Sequence, residues 1–106
     1  MADVIHADEA GFEKILQSSK IVLCDFWATW CGPCRMVGPV IEQLAEEYDG
    51  RIAVVKIDVD ENQELAAKYN VMSIPTVFVF RDGRPVDSKV GALPVEDYRK
   101  MLDGVL

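Results

Sequence analysis

The sequence predicts an α/β fold: a central mixed five-stranded sheet flanked by four helices. Two observations carry that expectation. Apolar runs of strand length alternate with stretches whose apolar positions repeat at helical spacing, the pattern of a mostly parallel sheet with helices on both faces. Towards the C-terminus two strand-like runs flank Asp82-Gly83, a hairpin signal that turns one strand antiparallel and makes the sheet mixed. A chain of 106 residues holds one core and not two ordinary domains, so residues 1–106 are expected to form a single domain.

A short strand is expected around Val4 and Ile5. Asp8 is a candidate cap for a first helix, whose apolar Phe12, Ile15 and Leu16 follow i, i+3, i+4 spacing before the polar Gln17-Ser18-Ser19-Lys20. Ile21-Val22-Leu23-Cys24-Asp25-Phe26-Trp27 is apolar almost throughout, as befits a central strand covered on both faces. After Cys34 the positions Met36, Val37, Val40, Ile41, Leu44, Ala45 and Tyr48 recur with helical period until Asp49-Gly50 closes the segment. Pro39 lies within this helix, removes one backbone hydrogen bond and is expected to bend the axis. Ile52-Ala53-Val54-Val55-Lys56-Ile57 repeats the buried-strand signature. Asp60 with Gln63 resembles a capping box that opens a helix through Leu65, Ala66 and Tyr69. Residues 76–80 and 86–90 are the hairpin strands, and Pro94 suits the first turn of a last helix with Val95, Tyr98, Met101, Leu102 and Val105 on its inner face.

Half of the residues are hydrophobic and 27% are charged, a composition that packs a globular core. The net charge of -7 argues against a nucleic-acid partner or an anionic membrane surface, because both are bound through clustered Lys and Arg. No apolar run approaches the ~20 residues of a spanning helix, so no membrane partner is expected. Met1-Ala2-Asp3-Val4-Ile5-His6 lacks the basic start and apolar stretch of a signal peptide, which points to the cytoplasm; a mature plastid form would look the same. Three cysteines, two of them close together, do not make a secreted disulfide scaffold.

Those two lie in Trp30-Cys31-Gly32-Pro33-Cys34, which joins the end of the central strand to the start of a long helix. On a first helical turn sulfurs at this spacing can approach closely enough to bond. The positive dipole end of the helix favours an anion, so Cys31 is expected to be the exposed thiolate nucleophile. Its attack on a partner disulfide gives a mixed disulfide that Cys34 then resolves. Pro33 restrains the loop and Gly32 leaves room for a substrate backbone. Zinc is the competing reading of C-x-x-C, but the remaining ligand candidates are only Cys24 inside a strand and the distant His6, so no metal is expected. Asp25 is an acid within an apolar strand, where burial raises its pKa, and Lys56 is the matching anomaly in the next strand.

Asp25-Phe26-Trp27-Ala28-Thr29-Trp30-Cys31-Gly32-Pro33-Cys34-Arg35 resembles the active-site segment of the thioredoxin family, and Ile74-Pro75-Thr76 resembles its second landmark. The likeness runs through essentially the whole chain, including Lys56, the Asp82-Gly83 turn and Val90-Gly91-Ala92, and is nearest to bacterial or plastid m-type members. It implies the thioredoxin fold and a monomeric protein-disulfide reductase that needs no bound cofactor beyond the redox-active Cys31–Cys34 pair. The implied partners are multiple disulfide-containing target proteins and a separate thioredoxin reductase, linked to NADPH or ferredoxin, that recharges the dithiol. The resemblance also implies that Asp25 lies behind Cys34 as a general acid/base, with Lys56 close enough to hold its pKa down. It implies a cis Ile74–Pro75 bond that turns the Ile74 backbone towards the sulfurs, where an extended substrate peptide could add as a strand. The family's docking rim carries over to Trp30, Val59, Ile74, Pro75, Val90, Gly91 and Ala92.

Departures from the family pattern are few. Cys24 stands where relatives commonly have Val or Ile, and strand alternation points it away from the face of Asp25, as a buried inert thiol. Arg35 replaces a common Lys, and Pro94 occupies the place of a common capping Ser. A secretory oxidase or isomerase is the nearest rival, yet such relatives usually carry a His where Gly32-Pro33 stands. A non-enzymatic subunit that clamps a larger assembly through the same rim is the other.

Overall fold

The computed structural model describes residues 3–106. Its elements follow the order β1 (Val4–His6), α1 (Glu9–Ser18), β2 (Ile21–Trp27), α2 (Gly32–Glu47), β3 (Ala53–Asp58), α3 (Gln63–Lys68), β4 (Thr76–Arg81), β5 (Arg84–Val90) and α4 (Val95–Asp103). The mixed sheet of five strands has the order β1-β3-β2-β4-β5, so the apolar run of β2 occupies the centre, where both faces are covered.

The sheet is less parallel than expected. β1 and β2 run parallel to β3, but β4 is antiparallel both to β2 and to β5. The chain re-enters the sheet near the end where β2 stops, with Thr76 opposite Phe26, so β4 runs back along β2 in the opposite direction.

Local chemistry sets most boundaries. Asp8 caps α1 by accepting a 2.8 Å hydrogen bond from the Gly11 amide. Asp82 (φ 53) and Gly83 (φ 80) both lie at positive φ, as a two-residue hairpin turn of type I′ requires. The capping box expected at α3 does not form: Asn62 is the N-cap and makes no side-chain cap bond, while Asp58 Oδ1 accepts from the Asp60 amide at 2.9 Å and stabilises the turn before the helix. Pro94 is the cap of α4 and not part of its first turn, and Val105 lies past the helix end. Met36 shares the period of the inner positions of α2 but is 71% exposed and does not join the core.

The core has two halves. Leu23, Val77 and Val79 pack under Val37, Ile41 and Leu44 of α2 and Tyr98, Met101 and Leu102 of α4. On the other face Val22, Cys24, Phe26, Val55, Ile57 and Phe80 pack under Phe12 and Leu16 of α1 and Leu65 of α3. Strand alternation thus assigns Cys24 to the α1 side and Leu23 to the α2 side, as the period of two requires. Arg99 grips Glu47 with two hydrogen bonds of 2.7 and 2.6 Å, and Tyr48 donates to Asp103 at 2.7 Å, so the far end of α2 is tied to α4.

Candidate active site

The chain leaves β2 at Trp27, buries Ala28 and turns so that the Cys31 amide donates to the Ala28 carbonyl at 3.2 Å. That turn makes Cys31 the N-cap of α2, with Gly32 and Pro33 exposed at its first two positions. Proline is tolerated there because an amide at that position has no helical partner to lose. The Cys34 amide, one of the unpaired donors of the first turn, points at Cys31 Sγ from 3.2 Å. The two sulfurs form a disulfide across a Cα separation of 5.3 Å.

Cys31 is not exposed as expected: it is 4% accessible, hardly different from Cys34 at 3%. Both pack with Ala28 against Trp27, Val59 and Ile74, and this shell covers the closed disulfide. The Ile74–Pro75 peptide bond is cis, and the Ile74 carbonyl oxygen lies 3.8 Å from Cys31 Sγ. The family landmark and the dithiol, 43 residues apart in sequence, therefore meet.

Asp25 is fully buried, and neither carboxylate oxygen has a hydrogen-bond partner among the described residues. Burial pushes its pKa up from 3.8 to about 6, and the positive charge of Lys56, its neighbour in β3 register, partly opposes that rise. The Lys56 ammonium lies 4.4 Å from the centroid of the Trp27 ring, a cation–π contact. Lys56 and Cys34 line a common cleft of about 350 Å³ together with Arg35, Pro39 and Glu42. Burial, with the charge of Asp25 adding to it, drives the Cys24 thiol well above its ordinary value.

The expected rim is uneven. Trp30 is 67% and Val90 61% exposed, Ala92 is exposed, Val59, Ile74 and Gly91 are half-buried, and Pro75 is buried. Gly91 has φ +96 and its amide donates to the Pro75 carbonyl at 2.9 Å, which ties the loop after β5 to the cis-proline turn.

Sequence reasoning missed three residues around this site. Met72, 86% exposed, stands beside Ile74, and nothing in its sequence surroundings marks it. Asp60, read as a helix cap, instead accepts a 2.7 Å hydrogen bond from Trp30 Nε1. Tyr98, read only as core, donates to the Gly91 carbonyl at 3.2 Å and accepts from the Leu93 amide at 3.3 Å, so it pins the loop that carries Gly91 and Ala92. Among the described residues no group of three or more His, Cys, Asp or Glu side chains could hold a metal ion.

A sulfur pair that opens and closes one bond at a helix start stores and releases two electrons, and on this fold that chemistry defines a thiol–disulfide oxidoreductase. Comparison with known proteins narrows the class. The family model for thioredoxin matches residues 3–104. Thioredoxins of Staphylococcus haemolyticus and Staphylococcus aureus are each 51% identical over 100 residues, which cover 94% of this chain and 95% of theirs. The solved structure of a mutant thioredoxin from Halobacterium salinarum superposes with a TM-score of 0.90 at 38% identity, covering 96% of this chain and 89% of that one. The chain belongs to the thioredoxin family, as a protein-disulfide reductase.

Proposed function

We propose that this protein reduces disulfides in multiple target proteins, with Cys31 as the attacking thiolate, Cys34 as the resolving thiol and a separate thioredoxin reductase returning the two electrons. The observation that carries the reading is the placement of Cys31 at the N-cap of α2, with the Cys34 amide directed at its sulfur. In the reduced protein that amide and the dipole end of a 16-residue helix favour negative charge on Cys31.

Cys31 thiolate attacks one sulfur of the target disulfide and displaces the other as a thiolate, which takes up a proton. Cys34 then loses its proton and attacks Cys31, which closes the disulfide and releases the second target thiol. Two electrons pass from carrier to target, and of the two protons the target takes up one is that lost by Cys34 and the other comes from solvent, which received it when Cys31 ionised, so the balance closes. Asp25 is the group assigned to receive the Cys34 proton: a buried carboxyl held near pKa 6 accepts a proton far more readily than one at 3.8. Lys56 tunes that carboxyl through its charge.

Trp30, Gly32, Pro33, Val59, Ile74, Pro75, Val90, Gly91 and Ala92 form the surface assigned to the target. Its support is the exposure of Trp30 and Val90 beside backbone that the sulfurs approach. The protein acts as a monomeric single domain in the cytoplasm in this reading; no described helix is long and apolar enough to cross a membrane. The test is insulin reduction by dithiothreitol with wild-type protein, together with trapping by C34S and C31S variants. Acceleration by wild type and a stable mixed disulfide with C34S alone are expected. A stable mixed disulfide with C31S and none with C34S would reverse the assigned roles, and absence of acceleration would refute the reductase reading.

A further inference from the structure

A groove of about 420 Å³ runs between Trp30, Val59, Val71, Met72, Ser73 and Ile74, and it shares Val59 and Ile74 with the shell around the sulfurs. Its two outer walls differ in chemistry. Met72 is an unbranched, polarizable side chain almost wholly in solvent, suited to moulding itself around varied apolar groups. Trp30 is held through its indole N–H by Asp60 Oδ2, which brings a carboxylate to the opposite wall. The same turn carries Asp58 and Glu61, whose backbone or side chain joins its hydrogen bonds. None of these three acids makes a salt bridge among the described residues. Lys56, the basic residue that shares a cleft with Asp58 and Glu61, has its ammonium over the Trp27 ring.

We propose that this groove selects target disulfides flanked by a bulky apolar residue next to Lys or Arg, with the apolar side chain between Trp30 and Met72 and the cation facing Asp60. The inference rests on the dithiol-exchange reading and adds a preference to it. Charge complementarity supports the cation, since the protein has net charge -7 and Asp60, hydrogen-bonded to the Trp30 wall of the groove, makes no salt bridge among the described residues. Continuity with the sulfur shell supports a segment that ends at the scissile disulfide. A rim charge acts mainly on association, so the preference appears in kcat/KM and fades with salt.

The test uses three synthetic peptides with one internal disulfide, whose first cysteine is flanked by Leu-Lys, Leu-Glu or Gly-Lys. The full-length wild type, D60N and M72S are compared at low salt and in 0.5 M salt, with kcat/KM read for each. Asn retains an oxygen acceptor for Trp30 Nε1, so D60N removes the charge and keeps the wall. For wild type at low salt, Leu-Lys is expected to exceed Leu-Glu roughly three- to ten-fold, the range of an exposed attraction exchanged for a repulsion. D60N or 0.5 M salt should bring that ratio towards one. M72S should reduce the advantage of Leu-Lys over Gly-Lys while leaving the Lys-to-Glu ratio intact. A wild-type ratio near one, or a ratio unchanged in D60N, overturns the proposal. Wild-type reduction of the neutral hydroxyethyl disulfide separates the two levels: if it proceeds while peptide ratios stay near one, only the preference fails, and if it is absent the exchange reading fails as well.

Discussion

Replacing Asp25 by Asn should make the oxidised protein more resistant to unfolding at neutral pH, by an amount that depends on pH. The carboxyl is fully buried, and its pKa is about 6 in the folded protein against 3.8 as the ordinary value. That difference corresponds to about 3 kcal/mol. Between these two pH values the folded protein retains a proton that the unfolded chain has already released, so stability falls as pH rises. The contribution is fully present below about pH 4, is lost as pH passes through about 6, and changes little beyond. Asn carries no charge, so the D25N variant escapes this loss. The difference between D25N and wild type should therefore grow by about 2–3 kcal/mol from pH 4 to pH 7.5, on top of a constant offset for the changed amide. At a urea dependence of ~1–3 kcal/mol per molar, the midpoint difference grows by ~1–3 M. The assay is equilibrium urea unfolding of both oxidised proteins at half-unit pH intervals from 4 to 8. A difference that stays flat across this range would refute the assignment of a raised pKa to Asp25. Replacing Lys56 by Met should move the wild-type decline to higher pH, because the charge that partly offsets burial is gone.

Three further outcomes are expected from other parts of the molecule. The oxidised native protein should show no thiol reactive towards Ellman's reagent at pH 8 and one after denaturation, since Cys24 is wholly buried and burial disfavours its thiolate; rapid native labelling would show that the β2 core opens locally. Gly91→Ala should cost about 1–3 kcal/mol in chemical denaturation, because φ +96 strains any L side chain even though no atom lies within 4 Å of an added Cβ. An unchanged midpoint would mean that the loop relaxes to another backbone conformation. Tyr98→Phe removes the hydroxyl that joins Gly91 and Leu93, with an expected cost of about 1–2 kcal/mol and faster amide exchange at Leu93; unchanged exchange would show that other contacts hold this loop.

Much of the site was legible because two of its anomalies are local. Cysteines three apart before a helical apolar period, and an acid inside an otherwise apolar strand, stand out in sequence without any fold, and the structure places them at the N-cap of α2 and at the centre of the sheet. Met72 and Asp60 were not legible in the same way. Their importance comes from proximity to Ile74 and to Trp30, and Asp60 meets Trp30 across 30 residues of chain.

The sequence by itself determined the elements whose causes lie within a few residues: the span of β2 from its nearly continuous apolar run, the cap of α1 from Asp8, and the hairpin from Asp82-Gly83. Hydrophobic period, cap hydrogen bonds and positive-φ turns act over one or two turns of chain, so residue order suffices to specify them. Tertiary structure alone decided the antiparallel entry of β4, the burial of Cys31, and the meeting of its sulfur with the Ile74 carbonyl. Each depends on which distant strands pair and on which distant side chains close over a site, and neither is fixed until the sheet has assembled.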